Sequence, residues 1–266
     1  MKSMMKKAFA LTLTVLMILS LAACTKKNSE KDLLARIKEK GMLELGTEGD
    51  WAPWTYHDED DNLVGFDVEI GTAVAEYLGV EVKFHQTDWD SILAGVDSGR
   101  FDAAFNGVAY TEERAQKYDF SEPYAFVNTV LIVNEDNDEI KSLEDLKGKK
   151  TANTISSRYA DIAKEAGAEV TPVSNILETF ELLSQGRIDA TLNAAVSFND
   201  YMKEHPEAKF KAVATVASEE VVCPAKKGDD SKSFIAAVNA CLEEMQKNGK
   251  LAEISNKYFG MDITKK

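Results

Sequence analysis

A ten-residue phrase occurs twice in this chain. Asp97–Asn106 reads DSGRFDAAFN and Ser184–Asn193 reads SQGRIDATLN, with Gly, Arg, Asp, Ala and Asn at equivalent places. Each copy follows an amphipathic stretch of helical spacing, which before the first copy is Trp89, Ile92, Leu93 and Val96. Each then turns at a glycine, the residue suited to a left-handed helix end. A short apolar run follows, of the kind buried in a parallel sheet, and ends on Asn. In open α/β sheets ligands sit beyond the carboxyl ends of strands. Two copies therefore constrain the chain to two similar α/β lobes, each delivering a polar strand end toward a shared cleft.

The surrounding sequence supports that plan. Before the first copy come strands at Met42–Gly46 and Val80–His85, with a helix over Val68–Leu78 that stops at Gly79. Thr87 is expected to cap the helix leading into the phrase, and Phe101–Phe105 is expected as its strand. After Asn106-Gly107 breaks that strand, Thr111 is expected to cap a new helix carrying Glu112, Glu113 and Arg114 in its first turn. This β-α-β-α-β order argues for a doubly wound sheet. Ala125–Val133 is an extended run that leaves the first lobe. Ser142-Leu143-Glu144-Asp145 is a capping box, and a second β-α-β series runs from Thr151 to Leu192. Phe210–Val216 and Val221–Cys223 are extended again, and Ser231–Asn248 with Lys250–Tyr258 form a C-terminal helical pair that returns to the first lobe. The expected division is residues 41–131 plus 223–266 for lobe 1 and 132–222 for lobe 2. The crossings fall near Asn128–Asn134 and Ser218–Lys226.

The N-terminus is read apart from the fold. Lys2, Lys6 and Lys7 precede Ala8–Ala23, an uncharged apolar stretch short for a membrane span, so residues 1–23 read as a secretory signal. Leu21-Ala22-Ala23-Cys24 resembles the lipobox of bacterial lipoproteins, which implies cleavage before Cys24 and lipid on it. Residues 24–40 then form a polar tether, TKKNSEK from Thr25, and a short helix. The formal net charge is −14, and the leader's charges are lysines alone, so the exported chain is more acidic still. That balance argues against nucleic acid and against charge-driven contact with an anionic membrane. Cys223 and Cys241 are either paired or buried thiols. His57, His85 and His205 have no ligand spacing, and neither a metal nor a cofactor is expected.

Several motifs together carry a family resemblance: GTEGDWAPWTY, LVGFDVEI, the run DWDSILAGVDSGRFD, YTEER, DFSEPY, SLEDLKGKK and GRIDATLN. In order, over roughly Gly41–Gly260, they resemble the bacterial family-3 solute-binding proteins, the amino-acid receptors of ABC importers. TANTISSRYADIAKEAGAEV and DYMKEHPEAK resemble the cystine-binding branch. The resemblance implies a type II periplasmic-binding-protein-like α/β fold of two lobes joined by two hinge crossings.

It also implies roles for residues. Arg114 would hold the ligand α-carboxylate, a task that suits an always-charged bidentate guanidinium. Trp51 would lie over the ligand, with Trp54 beside it either in the site or in the core. Glu48 would meet an ammonium or a ligand side chain. Asn106, Gly107 and Ala109 stand where relatives often carry Ser, so contacts there would come from the Asn106 amide or from backbone. Thr111 can offer its hydroxyl to the carboxylate. From the second lobe, the turn Ser156-Ser157-Arg158 would grip the ligand through N–H groups and hydroxyls at a helix start, and Asn193 would close the site. The chain departs from the family at Ala194, where many relatives carry an Asp for the ligand amino group. Glu48, Asn193 and Asp200 are the candidates to replace it.

The function expected is an exported, lipid-anchored, monomeric receptor on the outer face of the cell membrane. It would close over a small amino acid, polar or cystine, and deliver it to the permease subunits of an ABC importer. Two alternatives share the fold: an enzyme of the cyclohexadienyl-dehydratase kind, for which Glu48 is the obvious acid/base group, and the ligand-binding part of a sensor.

Overall fold

The computed structural model describes residues 32–266; the leader, Cys24 and the tether lie outside the described residues. The chain opens with α1 (Leu33–Lys40), whose cap Asp32 accepts from the N–H groups of Leu34 and Ala35, and which ends at Gly41. Then come β1 (Met42–Thr47), the short strands β2 (Asp50–Trp51), β3 (Thr55–His57) and β4 (Leu63–Val64), and α2 (Phe66–Leu78). β5 (Glu81–Gln86), α3 (Trp89–Asp97), β6 (Ala103–Ala104) and β7 (Tyr118–Phe120) complete the first series, and β8 (Ala125–Asn134) leaves it. The second series is β9 (Lys150–Asn153), α4 (Arg158–Glu165), β10 (Glu169–Pro172), α5 (Ile176–Ser184), β11 (Thr191–Ala194) and α6 (Ala195–Glu204). β12 (Phe210–Val221), β13 (Pro224–Lys226), α7 (Lys232–Asn248) and α8 (Lys250–Phe259) end the chain.

Two main sheet systems result, beside a small antiparallel sheet of β2, β3 and β4. The first has the order β5-β1-β6-β13-β7, with parallel pairing around β1 and β13 antiparallel to its neighbours. The second combines parallel β9 and β10 with the antiparallel set β11-β8-β12, the two bridged at Thr151 and Ala190. Leu43, Leu45, Phe66 and Ile70 share the first core with Phe234, Val238, Leu251 and Ile254 of the C-terminal helices. Ile132, Phe180, Leu183 and Phe198 fill a core of the second. Along β8, Val127 belongs to the first core and Val130 to the second. The long β8–β12 ladder is thus the bridge between lobes.

The repeated phrase has one structural job in both places. Gly99 and Gly186 take φ of 74° and 66°, turning the chain off a helix. The phrase Asp then clamps the start of the neighbouring parallel strand. Asp102 donates its N–H to the Glu44 carbonyl while its carboxylate accepts the Glu44 N–H at 2.9 Å. Asp189 does the same with Lys150, its carboxylate 2.7 Å from the Lys150 nitrogen. In the first copy the strand that follows the clamp is only Ala103–Ala104 rather than Phe101–Phe105, and in the second it is Thr191–Ala194 rather than Ile188–Leu192. Two caps also differ from expectation. The N-cap of α3 is Asp88, which makes no side-chain cap bond, and Thr87 instead extends the chain from β5, its N–H donating to the carbonyl of Thr47 at the end of β1. Thr111 begins no α-helix: its hydroxyl accepts the Arg114 N–H at 3.1 Å, but the turn is a single 3-10 turn, Arg114–Gln116, because β7 starts at Tyr118. Cys223 and Cys241 are both buried free thiols.

Candidate ligand-binding site

A cavity of about 710 Å³, mouth included, lies between the lobes against the β8–β12 bridge. Lobe 1 lines it with Glu48, Trp51, Trp89, Gly107, Ala109 and Arg114. Lobe 2 contributes Asn153, Ser157, Arg158, Tyr159, Asn175 and Asn193, and the bridge contributes Val127, Glu219 and Val221.

Arg114 leaves the 3-10 turn and is 9% exposed. It donates to the Ala109 carbonyl at 2.8 Å and, across the cleft, to the Ser156 carbonyl at 3.0 Å, with its guanidinium 5.5 Å from the centre of the Trp89 ring. Burial pulls its pKa down, while Asp161 and Glu219 support its charge only from a distance. It makes no ion pair with any described carboxylate. A buried guanidinium so placed calls for an anion.

Glu48 presents the opposite need. The Asn106 amide donates to its carboxylate at 2.6 Å. Burial raises its pKa to about 8, the Asn106 bond opposes that shift, and Asp50, Asp88 and Asp90 add to it. No described cation pairs with it, so a ligand ammonium would complete it. Asn106 itself is fully buried behind Glu48, its Oδ1 accepting from the Glu48 N–H at 2.7 Å and from the hydroxyls of Thr47 and Thr55. It positions Glu48 and does not line the cavity, which corrects its expected place as a direct contact.

The remaining expected residues divide similarly. Trp51 lines the cavity and stacks on Trp54, ring centroids 5.3 Å apart. Trp54 is fully buried and donates its indole N–H to Ser197 at 3.0 Å, so of its two readings the core one holds. Gly107 has φ 56°, and a Cβ there would come within 2.5 Å of the Trp51 ring. Its N–H is given to Asp67, a fully buried carboxylate that also accepts from the Tyr124 hydroxyl, so this donor is withheld from the cavity. Ser157 caps α4, accepting from the Ala160 N–H at 3.1 Å. Ser156 faces the rim and not the cavity: its N–H and hydroxyl both donate to Asp90, at 3.0 and 2.5 Å. Thr111 is spent on the Arg114 N–H. Asn193 accepts the Ala194 N–H at 2.9 Å, which leaves its amide donors for the cavity. Ala194 is fully buried, and Asp200 lies near Tyr56 rather than at the cavity, so Asp200 is withdrawn as an ammonium partner.

Sequence reasoning missed Glu219, Tyr159, Asn153 and Trp89. Asn153 ends β9, so the strand-end rule applied to the first lobe reaches it too. Glu219 carried a signal as the first of two adjacent acids, Glu219-Glu220, that follow the small and apolar stretch Ala212–Ala217 of β12. Trp89 has helical core spacing, and its indole N–H is buried without a partner among the described residues.

The lobes touch across the mouth as well. Besides Arg114–Ser156 and Asp90–Ser156, Asn175 donates to Asp50 at 3.2 Å at the mouth, and Trp54 donates to Ser197 in the buried interior away from it. The cleft is shut.

Known proteins with the same architecture fit this geometry. The L-cystine-binding protein TcyA of Bacillus subtilis (strain 168) is 40% identical over 98% of this chain and 100% of its own. An ancestral arginine-binding protein bound to arginine is 38% identical, with a TM-score of 0.77 over 83% of this chain and 99% of that one. The L-cystine solute receptor of Neisseria gonorrhoeae, in its unliganded open conformation, is 39% identical, with a TM-score of 0.59 over 89% and 100% of the two chains. The family model matches residues 43–261. With two α/β lobes shut on a cavity that holds a buried Arg114 without a carboxylate partner, and with these matches along its length, the chain belongs to the bacterial extracellular solute-binding proteins, family 3.

Proposed function

We propose that this protein is the substrate-binding lipoprotein of an ABC importer, and that it captures an amino acid between its lobes by hinge closure. The observation that carries the reading is a pair of unmet groups in one closed cleft: a buried Arg114 without a carboxylate, and a Glu48 carboxyl with no cation, which burial biases toward its protonated form. A zwitterion satisfies both at once. Trp51 and Trp89 give its apolar part a surface, and Asn193, Ser157 and Asn153 supply the polar remainder. The relatives' names point the same way, toward cystine and arginine.

Closure follows from where the contacts come from. Ligand groups held by Arg114 and Glu48 in one lobe and by the α4 start in the other stabilise the shut state, and the β8–β12 bridge absorbs the motion. The unliganded open receptor matches this chain less well in shape than the arginine-bound one at similar identity, as a change of lobe angle produces. The lobes are residues 41–131 with 223–266, and 132–222. The permease reads the closed form, and lipid on Cys24 keeps the receptor at the outer face of the membrane.

A thermal-shift screen of the purified protein against the amino acids, L-cystine and small carboxylates tests the reading, because a ligand of the folded state raises the melting temperature. L-Cystine or another polar amino acid should raise it, and Arg114→Ala should abolish the rise. No shift across the set would overturn the assignment.

A further inference from the structure

Asp67 is fully buried, lines no part of the cavity and forms no ion pair with any described residue. Only the start of α2, where it stands in the first turn, favours its charge. A carboxylate taken from water on such terms is costly unless its oxygens are well used. They are used by two separate segments. One oxygen accepts the Gly107 N–H, and the other accepts the Tyr124 hydroxyl at 2.8 Å. The Asp67 backbone N–H adds a third, donating at 3.0 Å to the carbonyl of Trp54, on which Trp51 stacks. Each partner leads to a working part of the receptor. Gly107 opens the loop whose Ala109 carbonyl accepts from Arg114 at 2.8 Å. That loop lies along the second crossing, with the Val222 N–H donating to the Val108 carbonyl at 2.9 Å. Tyr124 stands immediately before β8 and donates its N–H to the Val221 carbonyl at 3.0 Å, so it sits at the root of both crossing strands.

We propose that Asp67 is a positioning residue for ligand capture: one buried carboxylate ties the loop that sets Arg114 and Trp51 to the root of the hinge. The proposal rests on reading the cleft as an amino-acid site and adds to it a residue that touches no ligand. Residues that grip a ligand act only when a surrounding set of bonds holds them in place. Without Asp67 the buried Gly107 N–H loses its acceptor, and the peptide must turn to find another. That turn displaces both the glycine on which the Trp51 ring packs and the loop whose carbonyl aims Arg114. Without the Tyr124 hydroxyl the loop keeps its anchor, but its tie to the crossing strands is lost. Ligand held by Arg114 then stabilises the shut state less, because the gripping loop and the bending strands shift independently. Asn at position 67 keeps both bonds: its oxygen accepts from Gly107, and its amide donates to the tyrosine oxygen.

Titration calorimetry beside thermal melts tests this, on the purified protein and three variants, with L-cystine, L-arginine and L-glutamine as probes. Affinities are read at a temperature where every variant is folded. Asp67→Ala should weaken whichever probe the wild type binds by about tenfold, and Tyr124→Phe by about threefold, although neither side chain lines the cavity. Asp67→Asn should stay within about twofold of the wild type, the rescue that two preserved bonds predict. If Asp67 merely braces the core, Asp67→Ala and Tyr124→Phe lower the melting temperature and leave affinity unchanged, and the proposal falls. It falls too if Asp67→Asn binds no better than Asp67→Ala, since the two bonds are then not what matters. Should Asp67→Ala fail to fold, Tyr124→Phe decides: wild-type affinity in that variant overturns the proposal. A wild type that binds none of the probes overturns the amino-acid reading beneath it, and the proposal with it. Binding by the wild type with indifferent variants overturns the proposal alone.

Discussion

Arg114 and Glu48 show how two side chains can define a ligand before any ligand is seen. The guanidinium is buried against Trp89 with only carbonyl oxygens as hydrogen-bond partners, so an arriving carboxylate meets a charge already stripped of water. Arg114→Gln should therefore lower amino-acid affinity by at least a hundredfold in titration calorimetry, roughly 3 kcal/mol, while leaving the ligand-free melting temperature about unchanged. Glu48 gives a pH dependence. With its pKa raised to about 8, it is mostly protonated at pH 7 in the shut, unoccupied cleft. An ammonium that binds beside it favours the carboxylate and so expels the proton. Affinity should accordingly rise from pH 6 to 8 and level off above that. Calorimetry in buffers of different ionisation enthalpy should register proton release at pH 7. Glu48→Gln should bind more weakly and lose the pH dependence. Both residues were legible in the sequence, Arg114 as an Arg opposing a helix start and Glu48 as an acid in the loop after the first strand. Asn106 was legible as important but not in its role. Sequence places it at a strand end, and only packing reveals that Thr47, Thr55 and Glu48 enclose it.

At the scale of elements, the duplicated phrase was the strongest signal, because it encodes a helix stop, a strand clamp and a strand end in ten residues. The structure gives Asp102 and Asp189 the same clamp, which periodicity alone could not disclose. The observed strand, Ala103–Ala104, is shorter than the apolar run Phe101–Phe105, because apolarity alone does not announce that the N–H of Glu44 on the neighbouring strand goes to the Asp102 carboxylate. The loop after that strand depends on Gly107, whose missing Cβ leaves room for the Trp51 ring, two of whose atoms would lie 2.5 and 2.8 Å from it. Gly107→Ala meets both a positive φ and the Trp51 ring, so it should destabilise the protein by about 1–2 kcal/mol in urea titration and push Trp51 toward the cavity. Amino-acid affinity should fall with it by about tenfold. A variant as stable and as tight as the wild type would show that Trp51 does not depend on the glycine.

For the whole molecule, the essential property is that two lobes with their own cores are joined by one long ladder and meet again at the cleft and at the start of α6. The sequence disclosed two lobes and a returning C-terminus. It could not disclose the rim contacts, because Asp90 and Ser156 are neighbours only when the lobes are shut. Asp90 accepts two hydrogen bonds from Ser156, and removing them in Asp90→Ala should favour the open form. The expected outcome is about a tenfold weaker amino-acid affinity, carried mainly by faster dissociation in stopped-flow measurements. The most direct test of the central claim is small-angle X-ray scattering of the purified protein with and without a saturating amino acid that calorimetry has shown to bind. Capture by closure predicts a smaller radius of gyration with ligand, and no such decrease in Arg114→Gln at the same ligand concentration. An unchanged radius in the wild type, with ligand bound, would contradict the account.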